Sequence, residues 1–346
     1  MTLPSLPQQP AGVDWPTNGW PIGAPPASIT ARLEMLISPL FDPAARPTFG
    51  ETHALLIIQH GQMIVERYHP DFGPAETCPS WSMAKSITQA MVGIVVADGK
   101  IDIMAKADVP EWSAPGDPRG DITLDQLLRM SSGLQFVEDY LPENPSDVIA
   151  MLFGEGKADV AGYAAAKPLA HAPDRFMSYS SGTTNIVSRA IGRAIGKTGA
   201  AFEDQLRARL FDPLGMTSAT PRFDDAGTFI GSSYCFCTPR DFAKFGLLYL
   251  RGGLWEGREL LSPSWVDYAR TNNPLPHAPD DGPYGAHWWL GIAGDGSFSA
   301  NGYEGQYIVV VPDLDMVIVR NGATPAALKT SLRGSITAIA ELFRAG

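Results

Sequence analysis

Ser82 and Lys85 are the residues of this chain whose types and spacing most directly suggest chemistry. A serine hydroxyl is a weak nucleophile until a nearby base takes its proton. A lysine can be that base if burial lowers its pKa. Positions i and i+3 of a helix share a face, so the run Ser82-Met83-Ala84-Lys85 would bring hydroxyl and amine together. The start of a helix adds unpaired N–H groups and a partial positive charge, which favour a developing alkoxide or oxyanion. The spacing alone is common in a chain of 346 residues, and an N-cap serine beside a surface lysine would look the same. Here Lys85 interrupts a run whose other members, Met83, Ile87, Ala90, Met91, Ile94 and Val95, recur at helical spacing. Such a helix should be central and buried, and a solvated lysine is not expected on it.

The second element is Tyr179-Ser180-Ser181, which follows Asp174-Arg175-Phe176 and precedes a helix. A tyrosine hydroxyl beside a lysine ammonium can shuttle a proton to a leaving group. Ser181 can join the same network or cap the next helix. Taken alone, a buried tyrosine next to an N-cap is the simpler reading.

Holding these residues together requires a sheet and a helical block. His53 to Gln59 and Gln62 to Tyr68 are apolar, β-branched runs joined at His60-Gly61, which predicts a hairpin. Gln306 to Val311 and Met316 to Arg320 read as paired strands around the turn Pro312 to Asp315. Phe229 to Phe236 and His287 to Leu290 read as extended, with Trp288 and Trp289 on opposite faces, so at most one lines a pocket. Helical spacing covers 29–39, 83–95, Leu124 to Met130 behind the cap Thr123, about Thr183 to Ile195 with Gly199 as a stop, Asp241 to Leu250, and 327–344.

Strands at both ends with helices between them predict a fold of the α/β (α+β) class. Its antiparallel sheet is flanked by helices and carries an inserted, mainly helical domain. The expected division is an extended Pro-rich arm over 1–28, an α/β domain from 29–104 and 231–346, and the helical domain over 105–230. The active site would lie in the cleft between the last two.

Composition removes several function classes. With 45% hydrophobic and 18% charged residues, the chain reads as a soluble globular enzyme. A net charge of −11 repels phosphate backbones, so no nucleic-acid partner is expected. Cys78, Cys235 and Cys237 are odd in number, and the last two would share one face of a strand, which is poor disulfide geometry. The first residues lack a basic segment followed by an apolar one, and Ala90 to Ala97 is too short to span a bilayer. A cytoplasmic protein without a membrane partner is therefore expected. His53, His60, His69, His171, His277 and His287 show no ligand spacing, so neither metal nor cofactor is expected. Gly192 to Thr198 is one residue short of a phosphate loop and follows a helix, and no G-x-S-x-G elbow is present.

Together, S-x-x-K followed about a hundred residues later by Tyr-x-Ser resembles the class C β-lactamase and penicillin-binding-protein-like serine hydrolases. The blocks SWSMAKSITQAMVGIVVADGKI, ITLDQLLRMSSGL, FMSYSSGTTNIVSRAIGRAIG, LFDPLGM, TPRDFAKFGLLYLRGG and GYEGQYIVVVPDLD extend the resemblance from about residue 50 to the C-terminus. The sequence is most similar to the branch holding the 6-aminohexanoate-dimer (nylon-oligomer) hydrolases and related carboxylesterases. The resemblance implies a β-lactamase/transpeptidase-like fold, a nucleophile at Ser82, a proton partner at Lys85 and a second relay residue at Tyr179. Ser181 takes the third position of its motif and is expected near substrate.

The family's third motif, usually Lys-Thr-Gly, is matched at Tyr303-Glu304-Gly305, where Tyr303 replaces the lysine. That exchange removes a cationic grip on a β-lactam carboxylate, while Gly305 still permits close approach of substrate. The literal Lys197-Thr198-Gly199 is a decoy at a helix end, with Gly199 as a C-cap. The resemblance places the oxyanion hole at the backbone N–H groups of Ser82 and Gln306, and a substrate-covering loop tyrosine at Tyr140.

The expected function is hydrolysis of a small-molecule ester or amide through a Ser82 acyl-enzyme, 6-aminohexanoate oligomers included. A β-lactamase or D-amino-acid peptidase is the alternative within enzymes. A non-catalytic binding module on the same fold is disfavoured because Ser82, Lys85 and Tyr179 are all present. A homodimer is compatible with this reading.

Overall fold

A computed structural model describes residues 3–140, 145–279 and 281–346. A six-stranded antiparallel sheet joins the two ends of the chain. Its strands are β1 (Glu51–Gln59), β2 (Gln62–Tyr68), β3 (Trp289–Leu290), β4 (Phe298–Gly302), β5 (Gln306–Val311) and β6 (Met316–Ala323). Their order is β2-β1-β6-β5-β4-β3, so the N-terminal hairpin pairs directly with the last strand, Leu56 opposite Val319. The hairpin turns at His60-Gly61, both with positive φ (51° and 74°), which suits the twist of a tight two-residue connection.

Successive side chains of a strand face opposite sides of the sheet, and each side here has its own core. Leu55 and Ile57 of β1 pack with α1 (Thr30–Phe41) and the C-terminal helix, while Ala54, Leu56 and Ile58 pack with the helices inserted between β2 and β3. Three of those inserted helices are α2 (Ala84–Ala97), α3 (Ser181–Ile195) and α4 (Pro239–Leu250). The C-terminal helix, α5 (Lys329–Ala345), packs on the opposite face beside α1. Every residue of α2 from Ala84 to Val95 is buried, as its apolar circumference requires. Among the described residues, no helix is long and apolar enough to cross a membrane.

Three local expectations change. Only Cys235–Phe236 of the segment 229–236 forms a strand, against Thr220–Pro221. Before it the chain turns, with Ser233 N and Tyr234 N both donating to Ile230 O at 3.0 Å, and the Ser232 carbonyl accepts from Lys85 instead of from a ladder. The strand at 287–290 shrinks to Trp289–Leu290 because His287 has a left-handed backbone (φ 58°) and is anchored to two helical segments. The helix α3 is capped by left-handed Gly196, not Gly199, which opens the next helix, so Lys197-Thr198-Gly199 only links two helices. The three cysteines are free and buried, with the Cys235 and Cys237 sulfurs 3.8 Å apart on one face.

The turn between β4 and β5 is fixed from behind by Arg320. Its guanidinium donates to the carbonyls of Glu304 (3.1 Å), Gly305 (2.9 Å) and Glu51 (2.7 Å) and to the hydroxyls of Thr52 and Thr324. Glu304 and Gly305 are both left-handed, with φ of 59° and 78°, so the turn is held by its carbonyls rather than by a regular ladder. Burial pushes the pKa of Arg320 down to about 10, and no carboxylate forms a salt bridge with it among the described residues. Arg320→Met strands these acceptors, each worth about 1–3 kcal/mol when left unpaired, and relieves part of the cost of a buried charge. The expected result is a net loss of about 2–4 kcal/mol of stability, read from the urea midpoint at constant m.

Candidate active site

Ser82 lies in a single 3-10 turn, Trp81–Met83, that runs into α2. Trp81 sits at φ 43°, an unfavourable value for a bulky residue, and is kept there by its surroundings. Its predecessor Ser80 is buried and tied across the molecule, donating to Ser233 O (3.2 Å) and accepting from Cys235 N (2.9 Å).

One turn on, Lys85 is 1% exposed, so a long cationic side chain has been taken wholly out of water. Its Nζ donates to Ser82 Oγ at 3.0 Å, to Ser181 Oγ at 2.9 Å and to the Ser232 carbonyl at 3.0 Å, which satisfies all three ammonium protons. Burial pushes its pKa down to about 8, against the opposing pull of the Glu138 charge. A lysine with that pKa is substantially neutral in mildly alkaline water and can take a proton from the hydroxyl it already contacts.

Tyr179 completes the group. The Lys85 nitrogen lies 4.8 Å from the centre of its ring, and both Tyr179 and Ser82 line the same cleft. Burial pushes the phenol pKa up and the Glu138 charge adds to that, so Tyr179 is protonated near neutral pH and suited to passing a proton on. His287 supports the same corner from below. Nδ1 contacts the Leu128 carbonyl at 2.8 Å and Nε2 the Thr184 hydroxyl at 2.9 Å, and burial drives its pKa down to about 3. A neutral imidazole donating from Nδ1 and accepting at Nε2 fits these partners. It ties α3 to the segment before Ser131, and its own carbonyl accepts from Ser86 of α2 at 2.8 Å.

The corner that holds Ser82 opens into a cleft of about 280 Å³. Of the residues expected near substrate, Tyr140, Tyr303, Glu304 and Gly305 line it, and the Tyr140 and Tyr303 rings stack with centroids 4.6 Å apart. Ser181 does not line it. It lies beneath, fully buried, between Lys85 and Glu138, and so belongs to the proton network rather than to the substrate wall.

Gln306 does not line the cleft either. It is buried in the inner strand β5, and its amide bonds Tyr303 O (3.3 Å), Gly322 O and Asn321. The wall beside Ser82 is instead the end of β4, where a Cβ added to Gly302 would come within 2.4 Å of the Ser80 carbonyl. Tyr303 then opens a 3-10 turn, a position whose N–H has no acceptor inside the turn. Both glycines of Gly302-Tyr303-Glu304-Gly305 line the cleft, and close packing against the Ser80 carbonyl requires a glycine at the first.

Sequence reasoning also missed Glu138, Asp281, Trp289, Lys329 and Arg333, which are among the residues that line the cleft. Trp289 was open, since only one of the Trp288-Trp289 pair could face outward, and Trp288 is the buried one. Lys329 and Arg333 stand one turn apart on α5, at the i, i+4 spacing that places both on one face. That helix reads in sequence only as amphipathic.

A serine bonded to a buried lysine at a helix start, facing the end of an antiparallel sheet strand, defines a serine hydrolase of the S-x-x-K type. The chain belongs to the β-lactamase family, whose model matches residues 50–336. It is 26% identical over 335 residues to the 6-aminohexanoate-dimer hydrolase of Paenarthrobacter ureafaciens, with 87% of this chain and 80% of that protein covered. In structure it is similar to a Bacillus anthracis protein provisionally assigned as a 6-aminohexanoate-dimer hydrolase (TM-score 0.77, 20% identity, 99% of this chain and 92% of that one). It is also similar to a family VIII carboxylesterase (TM-score 0.66, 14% identity, 92% and 99%).

Proposed function

We propose that the protein hydrolyses small linear amides and esters through an acyl-enzyme on Ser82. The observation that carries this reading is the 3.0 Å contact between Ser82 Oγ and a lysine amine that is both buried and lowered in pKa. In the first half-reaction, neutral Lys85 takes the Ser82 proton as Oγ bonds to the carbonyl carbon. The resulting oxyanion is held by the N–H groups of Ser82, the second residue of its 3-10 turn, and Tyr303, the first residue of another. The proton passes from Lys85 through the Tyr179 hydroxyl to the leaving amine or alkoxide as its bond to carbon breaks. In the second half-reaction, water gives a proton to the same relay and its oxygen to the acyl carbon, releasing the acid and restoring Ser82.

The charges around the cleft favour a substrate that carries both signs. Glu138, Asp281 and Glu304 line it, and so do Lys329 and Arg333. Tyr303 in place of a lysine therefore does not leave the cleft without cations, because α5 supplies them. Arg333 makes no salt bridge with a carboxylate among the described residues, and its buried Nε has no hydrogen-bond partner. A linear amino-acid amide with a free ammonium and a free carboxylate, such as a 6-aminohexanoate dimer, matches that distribution.

The experiment compares kcat/KM for the 6-aminohexanoate dimer and for neutral p-nitrophenyl butyrate in wild type and Arg333→Ala. Loss of one charge-assisted hydrogen bond is worth about 1.5–3 kcal/mol, or roughly ten- to a hundredfold. The expected result is that loss for the dimer and little change for the ester. Equal losses on both substrates would remove the carboxylate-binding reading. No measurable dimer hydrolysis in wild type would leave only esters.

A further inference from the structure

Glu138 lines the cleft, and among the described residues its carboxylate has three partners, all donors. Oε2 accepts from the Ser181 N–H at 2.7 Å, and Oε1 accepts from the Ser181 hydroxyl at 2.6 Å and from the Tyr140 phenol at 2.9 Å. Because Ser181 Oγ gives its proton to Glu138, its lone pairs face Lys85 Nζ at 2.9 Å. The result is an ordered chain from ammonium through hydroxyl to carboxylate, with the Tyr140 phenol attached at the far end. We propose that Glu138 is a positioning residue for the hydrolysis, acting as the counter-charge of the catalytic lysine through Ser181 and fixing Tyr140 against Tyr303.

Charge decides the first half of this role. Two hydrogen bonds of 2.9 and 2.6 Å connect Lys85 Nζ to Glu138 Oε1 through Ser181, and the opposite charge favours the ionised ammonium. Among the described residues, the other groups around Lys85 do not supply that charge. Ser82, Ser181 and the Ser232 carbonyl are neutral, His287 is neutral at its lowered pKa, and Tyr179 is held protonated. Asp281 acts on Tyr179 and Tyr284 rather than on the lysine. When Lys85 takes the Ser82 proton, the ammonium thus forms at the end of a prepared hydrogen-bond chain rather than in an apolar pocket. Too strong a counter-charge would leave the lysine a poor base, and the intervening Ser181 sets the distance.

The second half of the role is steric. Tyr140 and Tyr303 stack at 4.6 Å beside the nucleophile, and Trp81 meets Tyr303 edge-on at 5.9 Å. The Glu138 carboxylate receives the Tyr140 phenol, so the same group that balances Lys85 also orients one wall of the cleft.

This proposal rests on the assignment of Ser82 as nucleophile and Lys85 as base, and its test separates the two. The measurement is the pH dependence of kcat/KM on p-nitrophenyl butyrate, whose acid limb reports the deprotonation of Lys85 in the free enzyme. In Glu138→Gln the ammonium loses its counter-charge, so the limb is expected to move to lower pH by roughly 1 unit. Glu138→Asp keeps the charge and is expected to leave the limb near its wild-type position, even where kcat falls. If Glu138→Gln does not fold, Glu138→Asn against Glu138→Asp gives the same comparison between side chains of equal length. A limb that stays in place or rises when the charge is removed overturns the proposal. Full activity in Ser82→Ala would instead overturn the assignment on which it rests.

Discussion

Ser82→Ala is expected to lower kcat by roughly 10⁴-fold or more and to abolish covalent labelling by a serine-directed phosphonate. The geometry sets the size of this effect. Lys85 Nζ has one partner that can become a nucleophile facing the cleft, Ser82 Oγ. Its other hydroxyl partner, Ser181, is buried and already gives its proton to Glu138. Without Ser82 the lysine has nothing to activate, and nucleophile and base fail as a unit. A 10⁴-fold loss corresponds to about 5.4 kcal/mol of transition-state stabilisation. The cleft, the strand end at Gly302 and the N–H groups beside it remain, so substrate binding should persist with KM changed by less than about tenfold. Intact-mass analysis after incubation with p-nitrophenyl butyrate should show an acyl adduct on wild type and none on the variant. An adduct mapped to Ser181 would move the nucleophile one residue deeper into the network and remove this mechanism.

The parts of the site that were legible in sequence share one property: each is local. Ser82 and Lys85 are three residues apart on a helix, and an apolar helix carrying one lysine announces that the lysine is buried. The pairing of N- and C-terminal strands was legible because apolar, β-branched runs occur at both ends of the chain while the middle reads as short helices between loops. What stayed hidden depends on contacts between distant segments. Glu138 is functional in appearance only because its loop is folded against the start of α3, 43 residues away in the chain. Arg333 sits on a helix whose spacing reports amphipathicity and nothing of the cleft it reaches. The side chain of Gln306 is turned away from the cleft for a related reason. Gly302 and Gly305 are both suited to close backbone approach, and only the packing of Gly302 against the Ser80 carbonyl separates them. His287, by contrast, breaks a strand pattern because its imidazole is fixed by two partners from other helical segments, which no local pattern contains.

Lys85→Arg is expected to be nearly as damaging as Lys85→Ala, each losing roughly 10³-fold or more in kcat/KM. If the lysine served only as a positive charge, arginine would retain much of its effect. A guanidinium stays protonated near neutral pH, so it cannot take the Ser82 proton there. The wild-type profile should show this directly. Burial holds the Lys85 pKa down near 8, and the neutral amine is the active form, so kcat/KM should rise as pH increases through about 8 and fall tenfold per unit below it. Both variants should lose that limb, because the group that titrates is gone. They differ in what can be restored. Lys85→Ala leaves a small buried void beside Ser82, Ser181 and the Ser232 carbonyl, lined by the three acceptors that held the ammonium. Ethylamine in the assay should enter it and recover part of the activity, with a pH dependence set by the added amine. Lys85→Arg fills the same space with a permanent cation and should show no such recovery. Wild-type-like turnover in Lys85→Arg would mean that the lysine acts by charge alone, and the proton would then have to leave Ser82 through Tyr179.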